Sequence, residues 1–278
     1  MFTPAIPMGG LAGWRFLERT GESQRAAFER GPQLAREVEY FKANIGKVTS
    51  AEALVKDRRL LAVALGAFGL EGEIDKRFFV RKVLEEGTDD PRSFANRLSE
   101  RAFRRLAESF GFGNEGGART AEPGFADKIV AKYKARAFEA AVGQVDESLR
   151  LAMNFRREIA VLAAEAKEGS GWFAVLGSKP LREVVQTALG LPKEFARIDV
   201  DRQRDMIRGR MRSVFGDGSI DFFKDPANVE RVVTRYLARA QIEASLAGGG
   251  PTSPALMLLQ AGSQGGSEGL LNLIASRR

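Results

Sequence analysis

The chain is predicted to be all-α: an irregular multi-helix bundle with two helical lobes joined by a long helix. Apolar residues recur at spacings of three and four in most segments, the period of one helix face. Helix-start and helix-stop chemistry repeats along the chain, with Asp-Pro or Ser-x-Pro before the periodic runs and Gly after them. No clean apolar–polar alternation exceeds four residues, so a strand signal is missing.

The elements follow in order. Residues 1–20 form an apolar N-terminal segment in which "GLAGWRFLERT" groups Trp14, Phe16 and Leu17 ahead of the first clear core helix. A cluster this apolar docks either on its own domain or on a partner. The helical domain spans 21–247, with lobes over 21–120 and 168–247. "REVEYFKANI" places Val38, Phe41 and Ile45 on one face, and Thr49 with Glu52 reads as a capping box for the next short helix. "DRRLLAVALGAFGL" carries Leu60, Leu61, Ala64, Leu65 and Phe68 on a broad apolar face. "DKRFFVRKVLEEG" carries Phe78, Phe79, Lys82 and Val83 and closes at Gly87. Asp90-Pro91 then starts one helix through "RSFANRLSERAFRRLAESF", with Phe94, Leu98, Ala102 and Leu106 on its buried side.

A Gly-rich break precedes a bridging helix over 125–167. Phe138, Val142, Val145, Leu149, Ala152, Ile159 and Ala163 form a heptad-like seam along it, interrupted by Arg156. The seam suits a core-spanning helix between lobes or, alternatively, a short dimeric coiled coil. In the second lobe Ser178 and Pro180 open a helix that stops at Gly190. "DVDRQRDMIRGRMRSVFG" gives another, and Asp225-Pro226 opens the last. Residues 248–278 are a Gly/Ser-rich mobile tail whose end, "LLNLIASRR", has the pattern of a short apolar helix. The two lobes echo each other: Ala67 with Gly69-Leu70 matches Ala188 with Gly190-Leu191, and Asp90-Pro91 matches Asp225-Pro226. Duplication and independent use of the same helix-stop chemistry both fit that echo.

Composition restricts the chemistry. The 278 residues contain no Cys and no His. That removes disulfides, thiolate nucleophiles, imidazole bases and the usual zinc sites. Catalysis would have to use carboxylates, Lys, Tyr, Ser or an oxygen-ligated metal. The net charge of +7 admits an anionic partner without naming one. No apolar run is long enough to span a bilayer, and "MFTPAIPMGGLAGW" lacks the basic flank and continuous apolar stretch of a Sec signal peptide.

Three candidate sites arise. Gly111, Gly113 and Gly116 satisfy GxGxxG, but a helix precedes them where a dinucleotide fingerprint needs a strand, so they read as an interhelical loop. Asp199-x-Asp201, and Asp217 with Asp221, lack the further ligands of a calcium loop and read as helix caps. No metal or cofactor is expected. Arg231, Arg235 and Arg239 recur every four residues as a stripe, while Arg202, Arg204, Arg208, Arg210 and Arg212 crowd the preceding helix. The aromatics are mostly phenylalanines at core spacing, so a solvated face or a protein interface is favoured over nucleic acid.

"GLAGWRFLERT", "YFKANIGKV", "DRRLLAVALGAFGLEGEIDKRFFVRKVLEEGT", "SFANRLSERAFRRLAESFGFG", "GSKPLREVVQTALGLP" and "IDVDRQ" together resemble the bacterial family called domain of unknown function 1217. The resemblance runs from about Leu11 to Arg239. It implies a helical alphaproteobacterial protein whose gene often lies among flagellar genes, and it supplies no catalytic residues. The expectation is therefore a non-enzymatic protein that binds other proteins, flagellar components foremost, through Trp14, Phe16, Leu17 and the Arg231–Arg235–Arg239 stripe. A cytoplasmic location is expected, with the flagellar basal body as the alternative. A nucleic-acid-binding protein using the arginines, and a carboxylate- or metal-dependent enzyme, are the competing classes.

Overall fold

The computed structural model describes residues 3–166 and 169–247, and among them it contains thirteen α-helices and no strand. The first lobe holds α2 (Pro32–Asn44), α3 (Ala51–Lys56), α4 (Arg58–Phe68), α5 (Arg77–Glu86), α6 (Phe94–Arg97), α7 (Arg101–Phe110) and the first half of α8 (Phe125–Val145). The second holds the rest of α8, α9 (Glu147–Glu165), α10 (Gly171–Leu176), α11 (Lys179–Leu189), α12 (Val200–Phe215) and α13 (Pro226–Ala247). Helix α1 (Gly10–Glu29) belongs to the second lobe, where it packs against α13 and α9. Each lobe has its own core. Phe41, Leu61, Leu65, Leu84 and Phe110 are central to one; Phe138, Phe155, Phe195 and Phe223 are central to the other. The expected tail and its terminal helix lie outside the described residues.

The expected bridge over 125–167 is a helical hairpin. Asp146 is extended (φ −149°, ψ 107°), and its carboxylate accepts hydrogen bonds from the Ser148 and Leu149 amides, so it starts α9 as an N-cap. Helix α9 then runs back along α8. Gly143 permits the tight return, since a Cβ there would lie 2.5 Å from Arg150 Cδ. The predicted seam lines the second core apart from Val145, which is exposed at the bend. A second break falls in the helix expected from Asp90-Pro91. That dipeptide makes a turn, and the Glu86 carboxylate accepts from the Phe94 amide at 2.6 Å, so α6 begins only there. The chain is extended again at Leu98 before α7. Two smaller differences are local. Ser50, one residue beyond Thr49, caps α3. Phe78 faces solvent, whereas Val80, Val83 and Leu84 form the buried side of α5.

The echo between lobes extends to helix pairing. In the first lobe α2 packs on α4 and α8, α3 on α4 and α5, and α4 on α8. In the second α9 packs on α11 and α13, α10 on α11 and α12, and α11 on α13. Five pairings therefore recur in one order, with α6 and α7 added in the first lobe. Helices α4 and α11 end alike. Gly69 and Gly190 adopt left-handed conformations (φ 76° and 66°), and the amides of Leu70 and Leu191 reach back to the carbonyls of Leu65 and Gln186. A Cβ on Gly69 would come within 2.3 Å of Arg136 Nη1 from α8. One on Gly190 would come within 2.6 Å of Arg239 Nη2 from α13. In both lobes, then, an arginine from the longest packed helix closes the C-terminal end of the central one, where a cation complements the helix dipole.

Candidate functional site

The residues expected to face a partner divide by position. Trp14 is 1% exposed, and with Leu17 it joins the second core, because α1 lays that face against α8, α9 and α13. Arg156 covers the indole, its Cζ 4.6 Å from the ring centroid, while its guanidinium reaches Glu230 at 3.3 Å and Glu18 at 3.7 Å. Phe16 is half-buried. In this arrangement Trp14 and Leu17 anchor α1 to its own domain.

The stripe on α13 also serves internal contacts. Arg235 Nε donates to the Ala188 carbonyl at 2.8 Å, and Arg239 lies against Gly190. Arg235 thus satisfies a carbonyl at the end of α11, and Arg239 packs beside it. Arg231 remains at the surface, where it donates to Asn228 and sits over the rings of Phe215 and Phe222. Beyond Arg239, every residue from Gln241 to Leu246 is exposed, including Ile242 and Leu246 one turn apart.

Helix α12 is arranged differently. Asp199 caps it by accepting from the Asp201 and Arg202 amides, as expected of an Asp at that position. Gln203, Ile207 and Met211, spaced by four, form the buried face. Of the five arginines, Arg204 takes both acids, bonding Asp201 at 3.0 Å and Asp205 at 2.9 Å, and stacks over Phe173. The Arg204 hydrogen bond holds the exposed Asp205 carboxyl below its ordinary range, against a smaller opposing effect of desolvation. Arg202, Arg208, Arg210 and Arg212 are exposed, and none has a carboxylate within 4.0 Å among the described residues; Asp205 is the acid whose field reaches Arg208. Between them lie Met206, 40% exposed, and Gly209, whose outer side meets nothing within 4 Å.

A cluster that sequence spacing does not reveal sits where the lobes meet. Glu158 of α9 accepts from Arg105 of α7 at 2.5 Å, from Arg136 of α8 at 2.8 Å, and from its neighbour Arg157. Arg157 also grips Glu139 of α8 through two bonds of 2.8 and 2.9 Å. Burial penalises the charge on Glu158, but Arg105, Arg157 and Arg136 outweigh it and hold the carboxyl below its ordinary range. Burial, followed by the like charge of Arg157, pushes Arg136 below its own. With each acid engaged by arginines, the network laces α7, α8 and α9 together. These residues come from three separate segments, so no local motif announces them.

Other candidates resolve as structure. Gly111 ends α7 in a left-handed turn, within an interhelical loop. Asp217 accepts from the Ser219 amide, and Asp221 pairs with Lys224. Among the described residues no group of three or more Asp or Glu could hold a metal ion, and no helix is long and apolar enough to cross a membrane. A groove of about 370 Å³ runs beside α1, with Glu18, Glu22, Arg25 and Arg156 along it over Trp14 and Phe138; its acids and bases balance.

The crystal structure of protein AGR_C_984 from Agrobacterium tumefaciens is similar to this chain, with a TM-score of 0.71 and 26% identity over 87% of this chain and 99% of that one. No curated protein matches. A family model described as "Protein of unknown function (DUF1217)" matches residues 67–229, more than half of the sequence, and the chain belongs to that family.

Proposed function

We propose that this chain is a non-enzymatic protein that works by binding another protein, as an assembly factor or structural part associated with the flagellum. The observation that carries the binding part is the outer face of α12. Four exposed arginines there, Arg202, Arg208, Arg210 and Arg212, take no carboxylate partner from the described residues, and exposed Met206 lies one turn from Arg202 and one turn from Arg210. Several arginines of other helices are used internally: at the Glu158 network, over Trp14, and at the end of α11. A helix that leaves four exposed cations without a carboxylate offers charge complementarity to a partner. The flagellar part rests on the gene setting that the family resemblance implies; on this reading the protein works in the cytoplasm, with the flagellar base as the alternative.

A clean deletion, scored for motility beside electron microscopy of filaments and basal bodies, tests the flagellar part. Loss of filaments indicates an assembly role, and complete but paralysed flagella indicate the motor. Normal swimming with intact flagella refutes the association.

A further inference from the structure

The geometry points to residues 254–261, PALMLLQA, as a further helix of this chain that turns back on α13 and covers Ile242 and Leu246, as α9 turns back on α8. It stands apart from the protein-binding reading above. Helices α8 and α13 correspond residue by residue. Arg136 and Arg239 lie against the left-handed glycines that end α4 and α11. Pairing the two arginines aligns IVAKYKARA (residues 129–137) with VVTRYLARA (residues 232–240). Val130, Tyr133, Ala135 and Ala137 then match Val233, Tyr236, Ala238 and Ala240, and Ile129 and Val130 are buried like Val232 and Val233. Carried onward, the same register sets Glu139 beside Ile242 and Gly143 beside Leu246. On α8 those two positions meet α9: Glu139 accepts two bonds from Arg157, and Gly143 lies against Arg150. On α13 they are bare, with Ile242 59% and Leu246 78% exposed.

The described neighbours of α13 leave that side open. Helix α1 reaches this end at Gln241, which meets Gly10. At 100° per residue, Ile242 and Leu246 lie about 100° and about 140° around the helix from Gln241, but only about 40° from each other. Arg239, about 20° from Leu246, marks where α11 stops, so the two apolar side chains continue that side beyond it. Connection and chemistry select the occupant. Residues 248–253, GGGPTS, make a link within the roughly two to eight residues that join neighbouring helices of a bundle. Ser253-Pro254 is a helix-start pair and Gly262 a helix stop, the residue types that bound α11. Between them Leu256, Met257, Leu258 and Leu259 form an apolar run, and residues 248–267 carry no charge. Eight residues make about 12 Å of helix, against about 9 Å for the bare turns from Gln241 to Leu246. A helix so short needs packing to form, and this run supplies apolar area for it. A second copy seated on the same end would bury Ile242 and Leu246 yet leave the run over 256–259 uncovered.

The test uses the full chain. It has no native cysteine, so Ile242→Cys introduces a single thiol. The rate of its reaction with a maleimide is measured relative to the same chain in urea, beside Val161→Cys on α9, whose valine is 45% exposed. With nothing over α13, the more exposed position 242 should react at least as fast as 161. The expected result is that Ile242→Cys reacts at least about tenfold more slowly than Val161→Cys. Adding Leu256→Asp with Leu259→Asp should restore the fast rate at position 242 and leave the rate at 161 unchanged. Three results would each overturn the assignment. One is equal reactivity at the two positions, and another is protection that survives the two aspartates. The third is protection that is lost on dilution while sedimentation shows the mass of two chains, which would make a second copy the occupant.

Discussion

Glu158→Gln removes the charge that Arg105, Arg136 and Arg157 share while keeping the side chain's size. The loss should concentrate at Arg136. Arg157 keeps Glu139 through two bonds, and Arg105, 38% exposed, can turn toward water. Arg136 is 14% exposed and has no second ion pair among the described residues. Removing one partner of a buried pair costs about 3–5 kcal/mol. Glutamine retains one acceptor and the site is not fully dry, so the lower end, about 3 kcal/mol, is expected. For a chain of this size that lowers the thermal midpoint by about 6–12 °C. Urea unfolding followed by circular dichroism should show a lower midpoint with an unchanged slope. Adding Arg136→Met to Glu158→Gln should recover a large part of the loss, because the stranded charge is then gone. A loss under about 1 kcal/mol, the value of an exposed pair, or no recovery in the double variant, would refute the reasoning.

Acidity gives a second check on the same group. The carboxyl of Glu158 is held below its ordinary 4.5 in the folded chain, so its contribution is complete above that value and disappears as the pH falls through the folded-state value. The stability gap between the parent chain and Glu158→Gln should therefore narrow below pH 4.5, and a gap constant with pH would count against it. Gly69→Ala and Gly190→Ala should each lose about 1–2 kcal/mol or more, since both force a side chain into the left-handed region and against an arginine. Gly209→Ala, in an open helix interior, should instead gain about 0.5–1 kcal/mol, and denaturant melts of the three variants give the comparison. Trp14→Ala should cost about 3–5 kcal/mol if α1 is docked, and a chain of unchanged stability would show that it is not. Asp146→Ala removes the cap of α9 and should cost about 1 kcal/mol in the same assay.

Helix type and most helix ends were legible because the signals are local. Ser178 with Pro180, Asp199, Gly190 and Asp225-Pro226 act through their own backbone and the next few amides, and the structure keeps each in its expected role. The misplaced boundaries depended on contacts from outside the window. Glu86 reaches from α5 to start α6, and Gly143 admits Arg150 so that the bridge can fold on itself at Asp146. An Asp within an apolar seam carries no sign that the chain reverses there. It reads as a solvated helix position until packing supplies the return.

The candidate site divides along the same line. The crowding of arginines on α12 and α13 is visible in sequence, but sequence spacing cannot say which are spent inside the fold. Arg235 and Arg239 look like a surface stripe, yet α13 crosses the end of α11, where Arg235 donates to the Ala188 carbonyl and Arg239 packs against Gly190. By itself the sequence determined the all-α class, most of the caps, the family and the absence of thiol and imidazole chemistry, since each depends on residue identity or on neighbours within a turn or two. The tertiary structure decided the helical hairpin, the burial of Trp14, the Glu158 network and the four unmatched arginines of α12. Those depend on which distant segments meet, and a charge is paired or free only after its neighbours in space have been placed.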